Sequence, residues 1–159
     1  MQLLFMLLFV VGITALDQWT KVLVVENIPL HSQVEALPGI FHFTYTQNTG
    51  AAFSSFDGMI WLFILIFAAL TVAVVVEYRK QSLHFTRLEW WLIAAVYGGG
   101  LGNIIDRVRL GYVVDMIEVE FMNFAVFNVA DIFITCGCFL LMAHLLLCNK
   151  AFWKEEKKA

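Results

Sequence analysis

At 159 residues the chain is one domain's worth of protein, 61% hydrophobic and 14% charged, about half the charged fraction usual for soluble domains. Its mean hydropathy of +0.80 marks an integral membrane protein. A formal charge of -3 with no basic stripe excludes the electrostatic footprint of a nucleic-acid binder, so partners are sought in the lipid phase.

Four windows are long and apolar enough for a tilted helix to cross a bilayer, at about 3–25, 59–76, 88–105 and 124–148. The expected fold class is therefore a mainly α membrane protein with four transmembrane helices in a single domain, 1–159. The first window reads as a retained span and not a secretory signal, because it has no basic n-region and no small-x-small cleavage site. Between spans one and two, a small extracytoplasmic β region is expected over about 28–56. Phe41, Phe43 and Tyr45 alternate there with His42, Thr44 and Thr46, the period of a half-buried strand. Pro38-Gly39 reads as the turn before it, and Asn48-Thr-Gly50 closes it with residues that tolerate positive φ.

Charge orients the spans. Arg79, Lys80 and Arg87 lie between spans two and three, and Lys150, Lys154, Lys157 and Lys158 follow span four, whereas Val22 to Tyr78 contains no Lys or Arg. The positive-inside rule then puts both termini in the cytoplasm and the first loop outside. Arg107 and Arg109 fall on the outer side against that rule, which gives at least one of them a specific task. Ile117-Glu-Val-Glu-Phe121 alternates as well, but an interfacial helix suits residues 116–124 equally, and both readings stand.

Placing each polar residue by depth gathers them at one end. Asp17 and Lys21 lie one turn apart in the outer half of span one. Asn103, Asp106 and Arg107 end span three, Asn128 and Asp131 begin span four, and Asn48 and Asp115 belong to the outer connections. Ionisable groups in membrane spans usually face a polar cavity where they are used. His144 lies 13 residues beyond Asp131, roughly 20 Å deeper along a helix, and is excluded from that cluster.

Two carboxylates set close together hold one shared proton over a wide pH range, so one acts as base while the other acts as acid. Asp115 and Asp131 are the candidates for such a pair, activating water against a carbonyl without a covalent intermediate. Ser54 and Ser55 have no His or Lys base nearby in the sequence. The three cysteines, Cys136, Cys138 and Cys148, read as small apolar residues of the last span, with no metal and no disulfide expected. Gly98-Gly-Gly-Leu-Gly102 lacks the Gly-Lys-Ser/Thr ending of a nucleotide loop and reads as a packing surface, Gly98 and Gly102 forming a small-xxx-small pair. A structural alternative pairs Asp17 with Lys21 and Asp106 with Arg107, leaving Asp115 in a loop and Asp131 as a helix-start acid favoured by the dipole. A proton-coupled transporter is a further alternative, but the inner halves of the spans are nearly bare, Thr71 and His144 being the main exceptions.

Five stretches together resemble the bacterial lipoprotein signal peptidase family, signal peptidase II: Asp17-Gln-Trp-Thr-Lys21, Asn48-Thr-Gly-Ala-Ala-Phe-Ser54, Gly99-Gly-Leu-Gly-Asn103 through Asp106-Arg107, Gly111-Tyr-Val-Val-Asp115 and Phe127-Asn-Val-Ala-Asp131. The resemblance implies an aspartyl endopeptidase of the bacterial cytoplasmic (inner) membrane, with its active site near the outer face. It would remove signal peptides from diacylglyceryl-modified prolipoproteins by cutting before the lipidated cysteine. It implies Asp115 and Asp131 as the dyad, with Asn48, Gly50, Asn103, Arg107 and Asn128 around substrate or dyad. Asp17 and Lys21 would then support the site from span one. No cofactor is implied, the other partners are membrane lipids, and the chain is expected to act as a monomer.

Overall fold

A computed structural model describes residues 1–50, 59–149 and 152. Among them are four helices, α1 (Gln2–Asn27), α2 (Ile60–Lys80), α3 (Arg87–Leu110) and α4 (Val129–Leu147), and three strands, β1 (Gln33–Leu37), β2 (Phe41–Asn48) and β3 (Val113–Val119). Ser54, Ser55 and the lysines of the C-terminal tail lie outside the described residues. Helices α1, α2 and α4 are long and apolar enough to cross a membrane. Helix α3 has the length, but it carries Glu89, Asp106, Arg107 and Arg109 along with its glycines.

Burial follows the membrane logic, with large apolar side chains facing outward and small or polar ones inward. On α1, Met6, Val10, Ile13, Asp17, Lys21 and Val24 are buried, three and four residues apart in one stripe. That stripe packs on α3. Glycines allow the approach: a Cβ at Gly98 would lie 3.1 Å from the Ile13 Cβ, and one at Gly102 would run into the Asp17 carboxylate. The expected Gly98/Gly102 pair thus faces α1, while Gly99 faces α4, where a Cβ would sit 2.5 Å from the Ala130 carbonyl oxygen.

Local chemistry sets the helix ends. Thr86 and Glu89 form a capping box at the start of α3, and Asn128 and Asp131 form another at the start of α4. Helix α4 therefore begins at Val129, later than the apolar window beginning near 124. Residue Phe127 is extended and bridges to Ile117. Helix α3 ends at Gly111, whose φ of 82° takes the left-handed turn that sends the chain straight into β3.

The strands form one antiparallel sheet in the order β1-β2-β3. The third strand comes from residues 113–119, so the β region extends beyond 28–56, and the alternation around Ile117 resolves as a strand. Phe43 pairs with Ile117 and Thr46 with Asp115, so an irregularity in β2 breaks the simple alternation. It leaves Thr44 and Tyr45 both buried and Phe43 exposed. Tyr45 joins Val24, Ile28, Val114 and Met116 in a core that fixes the sheet to the end of α1. Farther along the sheet His42 bridges Glu118 (2.9 Å) and Glu120 (3.2 Å), and the hydrogen bond to Glu118 raises its pKa.

Candidate active site

Gly111 and the four residues after it set Asp115 in β3, where it is 3% exposed. The Asn48 amide, at the end of β2, donates to Asp115 Oδ2 at 2.8 Å, and the Asn128 amide donates to Oδ1 at 2.7 Å. Asp131 lies one turn into α4. Its Oδ1 accepts from the Asn103 amide at 2.8 Å, and its Oδ2 accepts from the Asn128 backbone N–H at 3.2 Å. Each carboxylate is thus held by two N–H donors, and both line a cavity of about 650 Å³.

The asparagines cannot turn over freely. Asn128 Oδ1 accepts from the Asp131 backbone N–H (3.0 Å), so its NH2 must face Asp115 and the Asn103 oxygen. Asn103 Oδ1 accepts from Lys21 Nζ (2.9 Å), and an ammonium offers only donors, so the Asn103 NH2 must face Asp131. Asn48 Oδ1 accepts from the Gly50 N–H at 3.0 Å, which turns its NH2 toward Asp115.

Beneath this layer, Lys21 is 3% exposed and bridges Asp17 Oδ2 (2.9 Å) and Asp106 Oδ2 (3.0 Å), themselves buried. The remaining lone pairs are used. Asp17 Oδ1 accepts from the Ala130 N–H (2.9 Å), Asp106 Oδ2 from the Val114 N–H (3.1 Å) and Asp106 Oδ1 from Gln18 (2.7 Å). A buried ion cluster gains from such complete hydrogen bonding and is costly to break. It ties α1 to α3, to β3 one residue before Asp115, and to α4 one residue before Asp131. Asp106 pairs with Lys21 and not with Arg107. Gln18 is a member that sequence reasoning missed; its position beside Asp17 was the available signal.

Arg107 points the other way, into the cavity. It donates to the Gly50 carbonyl at 2.8 Å, and its guanidinium lies 4.3 Å from the centre of the Phe63 ring. Its Nε is buried with no hydrogen-bond partner among the described residues. Around these groups the cavity wall is apolar, with Phe63, Phe124, Ile132 and Ile134 among its lining residues.

Burial pushes the Asp115 carboxyl up to about 6, and the nearby Asp131 charge acts in the same direction, while the Asn48 and Asn128 hydrogen bonds pull it down. His144 lies outside the cluster. It bonds the fully buried Glu89 at 2.9 Å, an acid whose burial the sequence did not reveal. No group of three or more His, Cys, Asp or Glu suited to hold a metal ion occurs among the described residues.

The comparisons agree with one another. The family model described as "Signal peptidase (SPase) II" matches residues 9–147. A lipoprotein signal peptidase of Streptococcus thermophilus is 41% identical over 154 residues, 92% of this chain and 91% of the relative. One from Streptococcus agalactiae is 45% identical over 144 residues, 89% and 87% of the two chains. A solved structure titled "Bacterial membrane enzyme structure by the in meso method at 2.3 A resolution" superposes with a TM-score of 0.83 at 30% identity, covering 91% of this chain and 90% of that one.

Proposed function

The chain belongs to the signal peptidase II family of bacterial membrane enzymes, and we propose that it is an intramembrane aspartyl endopeptidase in which Asp115 and Asp131 are the catalytic pair. Its lipoprotein signal peptidase relatives point to lipid-modified prolipoproteins as substrates, cut on the N-terminal side of the diacylglyceryl cysteine. The observation that carries this reading is that two carboxylates from separate elements, β3 and α4, line one cavity, each fixed by two N–H donors.

In the proposed reaction the pair holds one proton. The ionised carboxylate takes a proton from water as its oxygen attacks the scissile carbonyl carbon, and the protonated carboxyl gives its proton to the carbonyl oxygen. The tetrahedral intermediate then collapses. The C–N bond breaks, the leaving amine of the cysteine takes up the proton gained from water, and a proton returns to the pair. The pair titrates as a unit. Asn48, Asn103 and Asn128 act as positioning residues through the carboxylates they hold. Lys21 and Asp17 keep Asn103 and the start of α4 in register. Arg107, braced on the Gly50 carbonyl and stacked on Phe63, has a free donor at Nε for a peptide carbonyl. The apolar wall between α2 and α4 suits the diacylglyceryl chains.

All four helices cross the membrane in this reading, α3 with Glu89, Asp106 and Arg107 turned inward and Arg87 and Arg109 exposed near its ends. Both termini are cytoplasmic, and the carboxylate pair lies near the outer face of the inner membrane, where a translocated precursor arrives anchored by its lipid. One copy contains every residue of the site, in keeping with a monomer.

A gel-shift cleavage assay with purified protein tests the proposal. Cleavage of a diacylglyceryl-modified precursor with the unmodified precursor left intact is the expected result, and equal cleavage of the two would remove the lipid from the substrate definition.

A further inference from the structure

The end of the helices remote from the carboxylates carries a separate cavity system. An apolar groove of about 430 Å³ runs between α1 and α2 over one face of α3, walled by Leu3, Leu7 and Val10 on α1, Val74 and Val75 on α2 and Ile93 on α3. The hydroxyls of Thr71 and Tyr97, which reach its wall, bond to each other at 3.1 Å, leaving nothing polar for a ligand to satisfy. Tyr78, Arg79 and Trp90 also line this groove. Tyr78 and Trp90 line a second recess as well, polar and about 370 Å³, completed by residues including Gln81, His84 and Arg87. The two cavities meet at an edge-to-face aromatic pair, Tyr78 on Trp90, with ring centroids 5.2 Å apart.

The mouth is cationic. Among the described residues two carboxylates stand near it, and both are engaged elsewhere. Glu77 accepts from Ser82 Oγ and the Leu83 N–H at the end of α2, and Glu89 accepts from the Thr86 N–H, His144 and Asn149. Arg79 and Arg87 are exposed, and no carboxylate among the described residues pairs with either. Arg79 on the groove and Arg87 on the recess, neither paired with a carboxylate among the described residues, flank an aromatic threshold that opens into an apolar slot, and this matches an amphiphile with a negative head and a hydrocarbon tail. From Leu3 to Val10 the groove follows α1 for roughly 10 Å, the depth of the upper part of an acyl chain.

We propose that this groove is a binding site for one anionic phospholipid, with its phosphate on Arg79 and Arg87 and one acyl chain lying between α1 and α2. Helix α2 has no buried residue of its own. A lipid wedged between it and α1 supplies the packing that α2 lacks and stabilises the folded chain by mass action. The site is distinct from the carboxylate cavity and does not depend on the proposed chemistry there.

The test is native mass spectrometry of the full-length protein released from detergent after titration with dioleoyl-phosphatidylglycerol or dioleoyl-phosphatidylcholine. One phosphatidylglycerol should be retained at a concentration on the order of tenfold lower than phosphatidylcholine. Soluble glycerophosphate should neither bind nor compete, because it lacks the tail. The Arg79→Gln/Arg87→Gln double variant should lose the preference between lipids. The Leu7→Trp variant, which fills the groove from a lipid-facing position with both arginines intact, should lose the tightly held lipid. Unchanged precursor cleavage by both variants checks that each is folded. Equal retention of the two lipids by the wild type, a preference that survives the arginine changes, or wild-type retention by Leu7→Trp would each overturn the proposal.

Discussion

Lys21 Nζ donates to Asn103 Oδ1 at 2.9 Å, and through that bond a lysine of α1 decides which end of the Asn103 amide faces Asp131. The same ammonium bridges Asp17 and Asp106, so the orientation of Asn103 and the pairing of both carboxylates depend on one side chain. Lys21→Met leaves two buried carboxylates without their cation. Removing one partner of a buried ion cluster costs about 3–5 kcal/mol. A large fall in the thermal midpoint in detergent, with loss of cleavage, is expected, and an unchanged midpoint would contradict the assigned cluster.

The Asp115 carboxyl, pushed up to about 6, predicts the pH behaviour. Cleavage that needs one proton on the pair declines as pH rises through that region, so kcat/KM should show an alkaline limb near it. The Asn48 hydrogen bond favours the ionised form. Asn48→Ala should therefore raise the Asp115 pKa and shift the limb to higher pH, and a shift to lower pH would contradict that role. Folding also takes up a proton here, because Asp115 binds it more tightly folded than unfolded. Its contribution to stability is fully present below its ordinary value of 3.8 and falls as pH rises toward about 6.

Gly99 faces a backbone carbonyl, which cannot yield as a side-chain tip can. A Cβ there meets the Ala130 oxygen at 2.5 Å, so Gly99→Ala must push α3 from α4 and draw Asn103 away from Asp131. Cleavage should fall by about 100-fold, as misplacement on the order of 1 Å commonly does. Gly12→Ala is the control, since nothing lies within 4 Å of its Cβ position and a helical alanine gains up to about 1 kcal/mol.

His144→Ala separates stability from turnover. Distance from the carboxylates leaves catalysis at low temperature intact. The lost 2.9 Å bond, however, deprives a fully buried Glu89 of one partner, and a penalty of about 1–3 kcal/mol follows. A lowered thermal midpoint with normal initial rates is expected. Collapsed rates in a folded sample would mean that this end of the helices communicates with the site.

Much of the site was legible because depth is readable in a membrane chain. Span direction, set by Arg79, Lys80 and Arg87 against the stretch without Lys or Arg before them, placed Asp17, Lys21, Asn103, Asn128 and Asp131 at one end without any tertiary information. The pairing of Thr46 with Asp115 was not legible, since a strand finds its partner through contacts far apart in sequence, and alternation around Ile117 names no neighbour. For the same reason the burial of Glu89 was not legible, since its partners Asn149 and His144 come from the other end of the chain.

The most direct test of the central claim is single-turnover cleavage of a diacylglyceryl-modified precursor by Asp115→Asn and Asp131→Asn, each paired with a thermal midpoint in detergent. An amide at either position keeps the volume but can neither take a proton from water nor share one with its partner. No measurable cleavage by either variant is expected while both remain folded, and turnover near the wild-type rate by either one would contradict the carboxylate pair.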